Sequence, residues 1–549
     1  MSLVEKIFPR NIASPVYVFL GFLALYVLTR SHNLSLTHDS VGYLWDIEFT
    51  QLEFHPNHLL YTHLVWLLSQ PLQWFFAPDA AIYFVHALAG ALAMAMTYGL
   101  MRGRLSFNAV PALLLTLLAG LSYGIWYYSV SVEIYIFPLA LLLTALYVLL
   151  SDQYDFSKIA LVALLHSFAA LFHQASILFA PVVMFAIFTY AGWSTSRRVR
   201  AAMLYVAVCA LFVGAPYLYA AGELGKLSSL QDFLLWLQGD NPLDPGIQAI
   251  GLRSFGEAFV GFARALIGLN FLFAHDYLGQ LILAAFPGNS LRDEVFLVRE
   301  FGPALSNMLV FASLVLALGL FTLALLAIRQ VFRSSIDHSR PKLLLLAWLI
   351  PYTSFFLLFN PSNVDFWMTQ LVIILLLIGV ASQAQLFVRA GFIRLLGVCA
   401  FLMLFVNGLG VIIPAKDHRN DLYRTVVLDY ENLVEEGEIL ILADTWPIKW
   451  HLHYHTDLEF LSLSDFYASE DNSAESVSES LRAKLQSVSS SVSPAQRVVF
   501  SNDVLQPAIA TIQQYGEGYP AFLRDVVAHF CPVEMVDPVD RRRLLISEC

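Results

Sequence analysis

Apolar stretches separated by short charged loops dominate the chain from Pro15 to Ile413. Many approach the roughly 20 residues that carry an α-helix across a bilayer. The pattern predicts spans at Pro15–Leu28, Ala81–Met101, Ala109–Val130, Ile134–Leu150, Ile159–Phe172, Ala175–Gly192, Ala201–Ala220, Ala304–Ile328, Leu343–Phe359, Thr369–Val388 and Ile393–Ile413. No small-residue cleavage site follows the first, so it reads as an uncleaved helix and not as a signal peptide. The run Leu59–Ala77 contains Pro71 and ends in Trp74-Phe75-Phe76, which suits an interfacial or re-entrant helix. Phe255–Phe286 is apolar but broken by Arg264 and by His275-Asp276. It predicts either two interfacial helices or a tight hairpin of spans. The expected membrane part is thus a bundle of about 11 helices, residues 1–415.

Polar spacing changes after Lys416. Short apolar runs at Ile439–Leu442, Leu458–Leu461, Val498–Phe500 and Leu544–Ile546 predict strands. Between them, Pro447 opens a helical stretch with Trp450 and Tyr454, Glu475–Leu485 has helical spacing, and Ala521–Phe530 predicts another helix. Ser487–Ser493 reads as a loop. Alternating strands and helices predict a soluble α/β domain over residues 416–549 with a mostly parallel sheet. No G-x-G-x-x-G or Walker sequence opens these helices, so no nucleotide site is expected.

Composition agrees with a polytopic α-helical membrane protein. Only 13% of the 549 residues are charged and mean hydropathy is +0.65, against about 25% charged in soluble domains. The basic residues near Arg102, Arg198 and Arg333 fall in alternate loops, which the positive-inside rule turns to the cytoplasm. The N-terminus is then inside and the C-terminal domain outside. A prokaryotic cytoplasmic membrane is the expected location. The net charge of −11 carries no basic stripe, which excludes nucleic acid as an expected partner. Cys209 and Cys399 lie in apolar runs and read as small core residues. Cys531 and Cys549 would have an opportunity to pair in an oxidising compartment.

The first outer loop carries the most chemistry. It reads Thr37-His38-Asp39-Ser40, then Phe54-His55-Pro56-Asn57-His58-Leu59-Leu60-Tyr61. Ionisable groups clustered at a membrane boundary are costly unless used or paired, which favours function for Asp39, His55 and His58. Asp46, Glu48 and Glu53 read as solvated loop charges. His55 and His58, spaced i, i+3, leave a divalent ion open with Asp39, but H-E-x-x-H and cysteine-rich patterns are absent and no metal is assigned. No other cofactor is expected. His451 and His455 read as exposed and non-ligating. The turn Asn360–Trp367 reads equally as an interfacial anchor or as a sugar platform, with Trp367 stacking and Asp365 bonding hydroxyls.

An Asp early in the first outer loop followed by His-Pro-x-x-x-Leu-Tyr resembles the GT-C superfamily of membrane glycosyltransferases, most closely its protein O-mannosyltransferase-like branch. The stretch Trp126–Tyr135, with Glu133 two residues before Tyr135, resembles the second outer loop of that branch. Leu171-Phe172-His173-Gln174 is similar to an outer turn where relatives carry a polar residue. These matches lie within the first 190 residues or so. Relatives often have two acids close together at the start of the first loop, whereas here Asp39 stands between His38 and Ser40.

The resemblance implies a polyprenyl-phosphate sugar as donor and a protein, lipid or glycan as acceptor. Phosphate leaves as a stable anion, so one carboxylate base is enough to deprotonate the attacking hydroxyl. That predicts a single inverting displacement, with Asp39 as base and Glu133 in support. His55, His58, Tyr61, His173, Gln174 and Arg264 are the expected donor-binding groups. The competing readings are a secondary transporter and a non-catalytic sensor. Against the first, no internal repeat is found and few charges lie mid-span. The second leaves the Asp39 cluster unexplained.

Overall fold

A computed structural model describes residues 15–151, 155–239, 251–285, 291–333, 340–382, 389–435, 438–444, 447–467, 498–505, 507, 511–512, 515–516, 518–528, 533–536 and 544–547. The chain divides into two compact units. The first comprises residues 1–32, 46–275 and 300–417, and the second comprises 33–45, 276–299 and 418–549.

The first unit is helical. Among the described residues, five helices are long and apolar enough to cross a membrane: Pro78–Arg104, Thr195–Glu223, Pro303–Arg329, Arg340–Leu358 and Ala390–Ala415. Further apolar helices, Pro15–Leu28, Ile136–Leu149, Phe156–Phe172, Gln174–Phe188 and Asp365–Val380, are shorter. Pro78 opens its helix at a position where a missing N–H costs nothing, and small residues let neighbours approach it. A Cβ on Gly90 would lie 2.2 Å from the Ser129 hydroxyl, so only glycine permits that contact. Most of Pro78–Arg104 is buried, whereas Thr195–Glu223 is mostly uncovered by protein. The former is therefore an inner helix and the latter a peripheral one.

One expected span changes, and the alternatives for another run narrow. The single span predicted over Ala109–Val130 is two helices, Ala109–Gly120 and Tyr123–Val130, bent by 65°. Ser122 sits between them in extended conformation, and its hydroxyl donates to Ala119 O at 2.5 Å. Asn407 Nδ2 donates to Leu121 O at 2.8 Å and to Leu266 O at 3.0 Å, while Gly268 N donates to Asn407 Oδ1 at 3.0 Å. A buried amide thus satisfies the carbonyl that the break frees. The Phe255–Phe286 run is divided between the units as Leu252–Leu266 and Asp276–Ala285. Neither is among the helices long and apolar enough to cross. Tyr61–Ser69 has nine residues, about 14 Å at 1.5 Å per residue, too short for a crossing, and Trp74 and Phe75 beyond it are exposed.

The second unit is built on a five-stranded sheet. The strands are β1 (Ile439–Leu442), β2 (Phe460–Ser462), β3 (Val498–Phe500), β4 (Val533–Val536) and β5 (Leu544–Ser547), in the order β2-β1-β3-β5-β4. β1 is parallel to β2 and β3, but β5 is antiparallel to β3 and β4. The sheet is therefore mixed rather than mostly parallel, and β4 lies where the apolar pattern predicts no strand. Alternation along β1 covers both faces. Ile439 and Ile441 pack with Phe522, Leu523 and Val526 of the helix Tyr519–Ala528. Leu440 and Leu442 pack with Val427 and Tyr430 of the helix Leu422–Leu433.

His451, expected at the surface, is fully buried on the helix Ile448–His455, beside Leu452 and against Tyr423. The unit also takes in 33–45 and 276–299, which the span pattern assigns to outer loops. The predicted helix Glu475–Leu485, the loop Ser487–Ser493 and the pair Cys531 and Cys549 lie outside the described residues.

Candidate active site

The histidines of the first unit are set by two similar chain turns. At His55 the backbone is extended, Pro56 opens a 3-10 turn, and His55 Nδ1 accepts from Asn57 N at 3.3 Å. At His173 the helix Phe156–Phe172 ends, and His173 Nδ1 accepts from Ala175 N at 3.3 Å to cap the turn Gln174–Phe179. Leu60 N donates to Leu171 O at 3.1 Å, tying the turns together. With Nδ1 accepting, the proton of each neutral ring belongs on Nε2.

His55 and His58 stack at 4.3 Å. Burial, then the nearby His55 and His173, holds His58 well below the ordinary histidine range. Burial, then His55, pushes His173 down to about 4. At neutral pH these two rings are uncharged, and an anion among them would favour their protonation.

Tyr61 continues the cluster, edge-on to His58 at 6.3 Å. Its hydroxyl donates to His86 Nε2 at 2.8 Å, while His86 Nδ1–H donates to Ile82 O at 2.8 Å. Glu133 is buried, and its charge acts on Tyr61 and Tyr127. Tyr135 lies 4.9 Å from His173 and 5.8 Å from Phe366, whose ring is 6.5 Å from His173. The structure thus gathers His55, His58, Tyr61, Glu133 and His173 and borders them with the Asp365–Trp367 turn. Gln174 lies beside them, with its Nε2 donating to Leu237 O at 3.2 Å.

Trp367 corrects the sugar-platform reading. It is buried, its indole N–H donates to Pro361 O at 2.8 Å, and Phe262 meets its ring edge-on at 6.2 Å. A Cβ on Gly261 would lie 2.7 Å from the indole nitrogen. A ring packed this closely is part of the core. Asp365 begins the same turn, and Arg264, half-buried, stands in the last turn of Leu252–Leu266, which packs against it.

Asp39 belongs to the second unit. His38 before it has φ 58°, in the left-handed region that few residues other than glycine and asparagine adopt. Tyr43 N donates to Asp39 O at 3.0 Å, so Asp39 starts the helix Ser40–Glu48. Its side chain keeps exposed surface, yet the surrounding protein displaces bulk water and raises the carboxyl above the usual carboxylate range. Asp46 departs from the expectation of a solvated charge. Burial, with Glu53 adding repulsion, pushes its carboxyl up to about 7.

Sequence reasoning missed His86, Phe366 and Asp46. An isolated histidine in an apolar span is a signal that would have singled out His86. Among the described residues, no group of three His, Cys, Asp or Glu side chains is set to hold a metal ion.

By sequence, no protein-family model matches the chain and no curated protein matches it. Solved structures do. ArnT from Cupriavidus metallidurans bound to undecaprenyl phosphate is similar with a TM-score of 0.54 at 10% identity, over 97% of each chain. The same protein in the apo state is similar with a TM-score of 0.50 at 12% identity, again over 97% of each chain. At such identities the likeness establishes the fold alone: the chain shares the fold of these ArnT structures.

Proposed function

We propose that the chain is an integral membrane glycosyltransferase that moves a hexose from a polyprenyl-phosphate carrier to an acceptor hydroxyl on the outer face of a prokaryotic cytoplasmic membrane. The observation that carries this reading is the cluster of His55, His58 and His173, with Nδ1 of His55 and of His173 committed to backbone N–H groups. Imidazole N–H donors from clustered rings suit a phosphate anion, and a fold found elsewhere with undecaprenyl phosphate bound supports a lipid carrier. Arg264 and Gln174 add donors for the phosphate or sugar, Tyr61 contacts the donor, and Asp365 bonds sugar hydroxyls.

In the proposed step the acceptor oxygen attacks the anomeric carbon and the bond from that carbon to the phosphate oxygen breaks. The acceptor proton passes to Asp39, and the polyprenyl phosphate leaves with the electron pair. The histidine donors stabilise the departing phosphate, so no general acid is needed. The anomeric centre inverts, and Glu133 supports the site electrostatically. A raised carboxyl at Asp39 is a stronger base than an ordinary aspartate once ionised.

The test is single-turnover transfer by the purified protein in lipid nanodiscs. Labelled polyprenyl-phosphate hexoses are compared with the corresponding nucleotide sugars, and donor binding is measured alongside. Asp39→Asn is expected to lose about 10²–10⁴-fold in turnover with donor binding retained. Transfer from nucleotide sugars alone would overturn the lipid-donor reading. Near-normal transfer by Asp39→Asn would remove Asp39 as base and leave Glu133 as the next candidate.

A further inference from the structure

The loop that delivers Asp39 is held by residues far along the chain, all within the second unit. Asp421 caps the helix Leu422–Leu433, and its Oδ1 accepts from Arg424 N at 3.0 Å. The same carboxylate accepts from Leu34 N at 2.7 Å and from the Ser35 hydroxyl. Ser35 Oγ in turn accepts from Tyr423 N at 3.0 Å. Asn33 adds a second tie. Its Nδ2 donates to Asn420 O at 2.7 Å, while its Oδ1 accepts from Ser35 N at 3.0 Å and Leu36 N at 3.1 Å. Asp421 is fully buried, and a buried carboxylate with donors fixed around it has one geometry open to it.

Three residues on, His38 is fixed from another direction. Its Nε2 lies 3.8 Å from the buried Asp293, and its ring meets Tyr423 edge-on at 5.9 Å. The left-handed backbone at His38 then turns the chain into Asp39. A strained residue held this way persists because its surroundings over-determine it.

We infer that Asp421 is a positioning residue for Asp39, and that the sheet-bearing unit serves the reaction by holding the base in place. The inference rests on the reading of Asp39 as base. As a positioning residue, Asp421 touches no reacting atom. It acts by fixing Leu34 and Ser35, and a displacement of about 1 Å in a reacting group is enough to cost about 10²-fold in rate.

The experiment compares full-length Asp421→Ala, Asp421→Asn, Ser35→Ala, Leu523→Ala and Asp39→Asn in nanodiscs. It reads kcat, donor KM and melting temperature. Asp421→Ala is expected to lower kcat about 10²-fold with donor KM changed less than about twofold. Asp421→Asn keeps Oδ1 for Arg424 and Ser35 but sets an NH₂ against Leu34 N, so its kcat falls between. Ser35→Ala removes the same tie from the other side and lowers kcat in the same sense, which keeps the test open if Asp421→Ala does not fold. Leu523→Ala opens the core of the same unit away from the clamp, and is expected to lower the melting temperature with kcat retained. Wild-type kcat in the Asp421 and Ser35 variants beside an inactive Asp39→Asn overturns the inference and leaves the base intact. Equal kcat losses in Leu523→Ala and Asp421→Ala overturn it too, because general loosening then accounts for both. An active Asp39→Asn removes the base reading itself, and the inference with it.

Discussion

His173 performs two tasks that one substitution separates. Its Nδ1 caps the turn Gln174–Phe179 by accepting from Ala175 N at 3.3 Å, and its Nε2–H is the proposed donor to phosphate. Asparagine at an extended N-cap position supplies an equivalent acceptor oxygen, but it is too short to carry a donor to the place Nε2 occupies. His173→Asn should therefore keep the fold and lose one hydrogen bond to a charged ligand. Such a bond is worth about 1.5–3 kcal/mol, which at about 1.4 kcal/mol per decade is about 10- to 150-fold in affinity. His173→Ala should show the same affinity loss and, in addition, about 1 kcal/mol of lost stability from the missing cap. The assay is equilibrium binding of radiolabelled polyprenyl phosphate to the protein in nanodiscs, with thermal unfolding of each variant. Wild-type affinity in His173→Asn, with unfolding unchanged, would refute the assignment of the ring to phosphate. Equal destabilisation by Asn and Ala would refute the capping argument.

Two further predictions concern stability. Burial, with His38 nearby, holds His451 down at about 3, against about 6.5 in an unfolded chain. Between those values the unfolded chain binds the proton first, so stability is full above pH 6.5 and falls as pH drops, by up to about 1.4 kcal/mol per pH unit. His451→Phe should flatten the melting temperature against pH between 6 and 4, and an unchanged slope would sink the argument. Asn407→Leu would leave Gly268 N, Leu121 O and Leu266 O without the partner that now meets them. At about 1–3 kcal/mol per orphaned group, a loss of about 3 kcal/mol or more is expected. A shift in apparent melting temperature of only a degree or two in detergent would show that the break at Ser122 does not depend on this amide.

The sequence by itself determined what depends on neighbours along the chain. Apolar length marks Pro78–Arg104 and Ala390–Ala415, because a helix satisfies its backbone within one segment and hydropathy alone can report it. Short apolar runs located β1 and β3, and the His-Pro entry placed His55 and His58. Tertiary structure decided everything that depends on distant partners. The antiparallel return of β5 onto β3 is set by pairing across the sheet, which no local period encodes. The break at Ser122 needs Asn407, about three hundred residues later, to meet a freed carbonyl. His173 stands near His55 where the two turns meet, with Leu60 N donating to Leu171 O. Trp367, in a turn whose sequence suits an interfacial anchor or a sugar platform, and His451, expected at the surface, are both buried, because Gly261 and Tyr423 approach them from other parts of the chain. The hold of Asp421 on the Asp39 loop was equally invisible, since an aspartate before a helix reads as a cap until the chain brings Leu34 and Ser35 to the same carboxylate.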